Sequence, residues 1–181
     1  MARPSVTFIA LLRGVNVGGN MLKMDRLRAI CSELGGNNVR TYVQSGNLIF
    51  SATGSAGHWA ECLEKRLAGE SRLPISVIVR TATELTAIRG GNPFLKEPNI
   101  QTARLAVTFL QQTPTGKALT ALRAMDVGSE RFHVAGRELY LHCPEGFGNS
   151  KLYMLDNVLS QKTTVRNWNT VAKLCEMSTE Q

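Results

Sequence analysis

Two short polar stretches carry the residues of this chain whose chemistry is easiest to name. Arg13, Asn16, Gly18 and Gly19 fall within residues 11–20, and Arg40, Gln44, Ser45 and Asn47 fall within residues 39–50. Guanidinium, carboxamide and hydroxyl groups are the donors that hold an oxygen-rich anion, and glycine lets the backbone approach a ligand closely. Together the two stretches read as a binding site for a small anionic or nucleotide-like ligand. No familiar phosphate loop fits them: Gly14-x-x-x-Gly18-Gly19 lacks the Gly-Lys-Ser/Thr ending and is not G-x-G-x-x-G. His58, His133 and His142 have no metal-ligand spacing, and no serine or cysteine sits in a nucleophile elbow. The residues therefore assign no metal, no cofactor and no reaction, and whether the chain is an enzyme stays open.

Secondary candidates lie further on. Ser150 and Lys151 follow Gly146-Phe147-Gly148-Asn149, where Ser150 can cap a helix and Lys151 can offer charge. Arg166, Asn167 and Trp168 open a closing helix, Trp168 reading as a core anchor whose indole N–H and neighbouring amides could otherwise frame a ligand.

The ordered blocks LLRGVNVGG, MDRLR, VRTYVQSGNLIF, GNPF, SKL and TTVRNWNTVAKL give the chain a resemblance to a bacterial family, domain of unknown function 1697. The resemblance implies a fold, an α+β chain with a ferredoxin-like first half and a related second half, and transfers no activity, substrate or catalytic residues. Two departures from the family pattern remove positive charge: the loop after the double glycine is shorter and poorer in Lys, and Asn149 stands where a basic residue is common before SKL.

The elements that must position these residues follow from periodicity. Residues 5–13 form a strand apolar on both faces, which predicts a central position in a sheet. Residues 24–34 put Leu27, Ile30, Cys31 and Leu34 on one helical stripe that ends at Gly35-Gly36. Strands at 39–44 and 47–52 flank a compact Ser45-Gly46 hairpin, followed by a helix at 57–69 and a strand at 75–80. This β-α-β-β-α-β order is the split β-α-β arrangement of ferredoxin-like domains. In it the first and second strands run parallel, so both polar stretches leave the sheet at one end. After a helix at 83–89 the pattern partly recurs: strand 104–110, helix 115–125, a hairpin within 131–143 turning at Ala135-Gly136, helix 150–159, strand 163–166 and helix 168–177. The domains are read as 1–89 and 102–181, joined by a linker at 90–101. On the second strand Arg40, Tyr42 and Gln44 share a face that an internal contact should cover.

Composition narrows the class. With 181 residues, 43% hydrophobic and 19% charged, the chain has the profile of a globular protein. No run approaches the roughly 20 apolar residues of a membrane span, and no signal peptide is read, so a cytoplasmic location is expected and a membrane role is not. The four scattered cysteines read as buried free thiols. A net charge of +7 keeps nucleic acid open as an alternative partner, although Asn47-Leu48-Ile49-Phe50-Ser51 lacks the paired aromatics of an RNA-stacking strand. A protein-interaction module without catalysis is the other alternative; the oligomeric state is not legible.

Overall fold

A computed structural model describes residues 4–16, 18, 21–70, 74–153 and 155–180. The fold is α+β, with two four-stranded antiparallel sheets among the described residues. By internal contacts the chain divides into residues 1–87 with 173–181, and residues 88–172, so the end of the closing helix groups with the first half.

In the first unit β1 (Val6–Arg13), α1 (Met24–Glu33), β2 (Asn37–Tyr42), β3 (Asn47–Ala52), α2 (Ala56–Leu67) and β4 (Ser76–Thr81) build a sheet ordered β2-β3-β1-β4. β1 lies inside the sheet with residues 8–12 all buried, as its two apolar faces require. One face carries Phe8, Ala10, Leu12, Leu48, Phe50, Val77 and Val79 into the core. Onto that core α1 packs Leu27, Ile30 and Cys31, and α2 packs Trp59, Leu63 and Leu67, at helical spacing. Gly35, at φ +96°, ends α1; the Gly36 amide reaches back to the Cys31 carbonyl at 2.9 Å, the six-to-one bond of a Schellman cap. The other face of the sheet is buried as well at Ile9, Leu11, Ile49 and Ile78.

A closed ring of four charges ties α1 to α2 and the turn after it. Arg26 grips Glu70 with two nitrogens, at 2.6 and 3.0 Å, and Glu33 at 2.9 Å, while Arg66 bonds Glu70 at 2.7 Å and Glu33 at 3.0 Å. The hydrogen bonds from Arg26, then those from Arg66, hold the Glu70 carboxyl at about 2 and lower Glu33 as well. A folded-state value below that of the unfolded chain means the contribution is complete above the ordinary glutamate range and is lost as pH falls through it toward 2. The urea midpoint of the wild type should therefore drop more between pH 5 and pH 2.5 than that of Glu70→Gln; equal drops would count against the ring.

The second unit repeats the order. α3 (Ala82–Gly90) crosses the boundary between the units. Beyond it β5 (Leu105–Leu110), α4 (Gly116–Arg123), β6 (Arg131–Ala135), β7 (Glu138–His142), α5 (Asp156–Leu159) and β8 (Thr163–Asn167) give a sheet ordered β6-β7-β5-β8, and α6 (Trp168–Thr179) follows. The β6–β7 hairpin turns through two residues, Gly136 at φ +59° and Arg137. Residues 90–101 are tied down: Phe94 is buried in a 3-10 turn, and Glu97 takes both arms of Arg131 at 2.7 and 3.1 Å. The helix expected over 150–159 is confined to Asp156–Leu159, because the Ser150 hydroxyl accepts from the Leu152 amide at 3.1 Å and sets a local turn instead.

The two strand-to-helix junctions are built alike. Arg80 on β4 lies opposite Ile9 of the central strand, and Arg166 on β8 lies opposite Val107 of its own central strand. Each arginine is buried and donates to the carbonyl of the residue before it, Val79 at 3.1 Å and Val165 at 2.8 Å. Each is followed by a cap. Thr81 and Glu84 exchange bonds in a capping box at the start of α3, and the Asn167 carboxamide accepts from the Thr170 amide at 2.8 Å at the start of α6. Val79-Arg80-Thr81 and Val165-Arg166-Asn167 are thus one design used twice.

Candidate functional site

The two polar stretches meet. β1 and β2 are both antiparallel to β3, so they share a direction, and the segments leaving them emerge at the same end of the sheet. Leu12 donates its amide to the Gly46 carbonyl at 2.8 Å, and Asn16 closes the rest of the gap. The Asn16 carboxamide donates to the Gln44 carbonyl at 2.6 Å and accepts from the Leu22 amide at 2.9 Å. Asn16 can do this because it sits at φ +55°, a left-handed conformation that asparagine tolerates. Val15 and Leu22 on either side of it are buried in the core, which anchors the loop from below.

The hairpin differs from the expected two-residue turn. β2 stops at Tyr42, and Val43, Gln44, Ser45 and Gly46 form a four-residue turn. Asn47 braces it from inside: fully buried, it donates to the Tyr42 carbonyl at 3.0 Å and the Ser45 hydroxyl at 2.9 Å. Gly46 at φ +73° presses against β1 so closely that an added Cβ would lie 2.6 Å from Val15 and 2.7 Å from Leu12. Gln44 and Ser45 are exposed on the outside, Gly18 is exposed on the neighbouring loop, and Arg13 is half-buried at the end of β1. Gly19 lies outside the described residues.

Two exposed apolar side chains flank this clamp. Met21 is 74% exposed beside Leu22, and Val43 is 52% exposed beside Gln44. Asn16 bonds the backbone of both those neighbours. Val43 also stands at φ +49°, where a β-branched residue is strained. Periodicity gives no warning of this, since a valine after Tyr42 reads as more strand.

The remaining candidates lie elsewhere. Arg40 points along the other face of the sheet and donates to the Met177 and Glu180 carbonyls at the end of α6, which its position on an expected internal face anticipated. In the second unit the Lys151 ammonium donates to the Asp126 carbonyl at 2.7 Å and lies 3.4 Å from its carboxylate. Ser150 lies 3.5 Å from the buried Cys143 thiol, whose pKa burial raises. Lys151 also lines a cavity of about 310 Å³ with Glu130, Glu145 and three glycines. Arg166 is buried, which pushes its pKa down to about 10; Asn167 is the helix cap and Trp168 is buried. The missed features had signals in the sequence: Thr81-x-x-Glu84 is a capping box, and Val-Arg followed by Thr or Asn occurs before both α3 and α6.

Among the described residues no group of three metal-ligating side chains comes together, and no helix is long and apolar enough to cross a membrane. The sheet order, the clamped loops and the repeated junctions define an α+β protein of two similar units. This chain belongs to the family described as Protein of unknown function (DUF1697), whose pattern it matches over residues 6–140. It is similar in structure to the conserved bacterial protein SP0830 from Streptococcus pneumoniae, with a TM-score of 0.80 and 20% sequence identity over 98% of this chain and 100% of that one. A comparison with curated proteins gave no significant match.

Proposed function

We propose that this chain is a non-catalytic binding module that recognises a protein partner through the clamped loops at the end of its first sheet. The observation that carries the reading is Val43, which is strained, apolar and exposed at once. A left-handed β-branched residue costs about 1 kcal/mol or more, and its exposure returns nothing to the folded chain by itself. Such a cost is borne where a surface is shaped for something else. Met21, the most exposed large apolar side chain among the described residues, stands across the Asn16 clamp from it. Gln44 and Ser45 supply polar groups around the pair.

An anion at these loops would have few donors to draw on. Asn16 and Asn47 spend their carboxamides inside the site, and Arg40 is directed to α6. Nucleic acid stacked on the sheet is disfavoured by the burial of Ile9, Leu11 and Ile49 on the face that would receive it. A cytoplasmic setting belongs to the same proposal, with the four free cysteines as its support. So does the ferredoxin-like description of each half, which rests on the shared strand order.

Val43→Asn tests the reading without knowledge of the partner. Asparagine accepts the left-handed conformation, so the variant should be more stable than the wild type by about 1 kcal/mol in urea unfolding, while losing recognition. A less stable variant would show that Val43 serves the fold and not a partner.

A further inference from the structure

A cavity of about 840 Å³ opens in the first unit on the face of the sheet away from its core, between β1, β2, β3 and the end of α6. That volume is in the range of sites for small molecules. Its walls mix apolar and polar residues: Ile49 and Val39 lie beside Ser5, Thr7, Ser51, Arg40 and Glu180, while Ser178, also in the wall, donates its hydroxyl to the Cys175 carbonyl at 2.8 Å. Thr7 and Ser51 are directly paired across β1 and β3, so they stand side by side on that face. Arg40 is brought there by its pairing with Ile49, on the same face two residues from Ser51.

Arg40 is held from one side and contacted only loosely from the other. One of its terminal nitrogens donates to the Met177 carbonyl and, at 3.3 Å, to the Glu180 carbonyl, the last turn of α6 fixing the plane of the fork. The other terminal nitrogen lies 3.9 Å from the Glu180 carboxylate, a pair whose side chains are 38% and 63% exposed. An exposed pair at that separation contributes little and is readily exchanged. A guanidinium already held in a fixed orientation, by contrast, suits an oxyanion on its remaining terminal nitrogen, because little further ordering is needed on binding.

We propose that this cavity binds a small phosphate monoester with a polar, hydroxylated body, and that the Glu180 carboxylate stands where the phosphate oxygens would go. Phosphate is favoured over a carboxylate because it offers three acceptor oxygens to a guanidinium and the neighbouring Thr7 and Ser51 hydroxyls. The body of the ligand would meet Ser5 and Ser178. The site is separate from the loop end proposed for partner recognition and stands or falls independently of it.

The test uses glucose 6-phosphate as probe, with glucose and glucuronate as comparisons, in calorimetric titration of the full chain. Glucose 6-phosphate should bind, and glucose and glucuronate should bind at least tenfold more weakly. Glu180→Gln removes the internal competitor and should tighten binding severalfold, a gain that damage to the fold would not produce. Arg40→Lys, checked for an unchanged circular dichroism spectrum, should weaken it at least tenfold, since an ammonium cannot hold the α6 carbonyls and the oxyanion together as the planar guanidinium does. No binding of glucose 6-phosphate to either the wild type or Glu180→Gln overturns the proposal. Equal binding of glucuronate overturns the phosphate assignment, and binding indifferent to Arg40→Lys overturns the site.

Discussion

Gly46→Ala is expected to destabilise the first unit by about 3 kcal/mol, a large share of the 5–15 kcal/mol that holds a typical domain together. Two costs add. At φ +73° an L side chain pays roughly 1–2 kcal/mol for the left-handed backbone. The new methyl also meets Val15 at 2.6 Å and Leu12 at 2.7 Å, and neither can withdraw, since both are packed in the core. Forcing an extra methyl into such a core costs about 1–3 kcal/mol more. Gly57→Ala is the control: Gly57 lies exposed in α2 with nothing within 4 Å of an added methyl, and alanine should stabilise that helix by about 0.5–1 kcal/mol. Urea unfolding of the two variants should move in opposite directions. A Gly46→Ala protein as stable as the wild type would mean that the hairpin does not press on β1 as described.

Asn16→Ala should cost about 2–3 kcal/mol and, more tellingly, loosen two loops far apart in sequence. The carboxamide makes two hydrogen bonds worth about 1 kcal/mol each, and asparagine is also tolerated at φ +55° where alanine is not. Asn16→Asp keeps the acceptor for the Leu22 amide but sets a carboxylate against the Gln44 carbonyl, so it should fall between alanine and the wild type. Hydrogen exchange separates the clamp from a general loss of stability. Faster exchange should be largest at the Leu22 amide and within residues 43–46, with α2 and β4 rising by no more than the loss of global stability requires; an equal increase across the unit would argue that Asn16 does not join the loops.

Much of this arrangement is legible in the residues themselves. The apolar residues on both faces of β1 required an interior strand, and the stripe of α1 ending in two glycines fixed both its packing face and its cap. From the parallel sense of β1 and β2 alone, the loop after Arg13 and the turn before Asn47 had to meet. What escaped has physical reasons. Arg40 and its carbonyl partner at Met177 are 137 positions apart, and no local pattern joins a strand residue to the end of a helix in the other half of the sequence. Asn38 carries φ +52° where the β2–β3 register slips, and Val43 carries φ +49°; the second is invisible because valine ordinarily prolongs a strand. Asn47 has the residue type of a ligand group, yet the interior of a tight turn also needs donors, and its amide serves there.

Met21 and Val43 together make the proposed surface for a protein partner. Photo-crosslinking in the cells that make the protein tests it most directly, with a diazirine side chain in place of Met21 and, as a control, in place of the exposed Lys117 on α4. One discrete adduct is expected from position 21, absent from position 117 and lost when Val43→Asn is added to a chain that remains folded. The same adducts from both positions, or an adduct from position 21 that survives Val43→Asn, would contradict it.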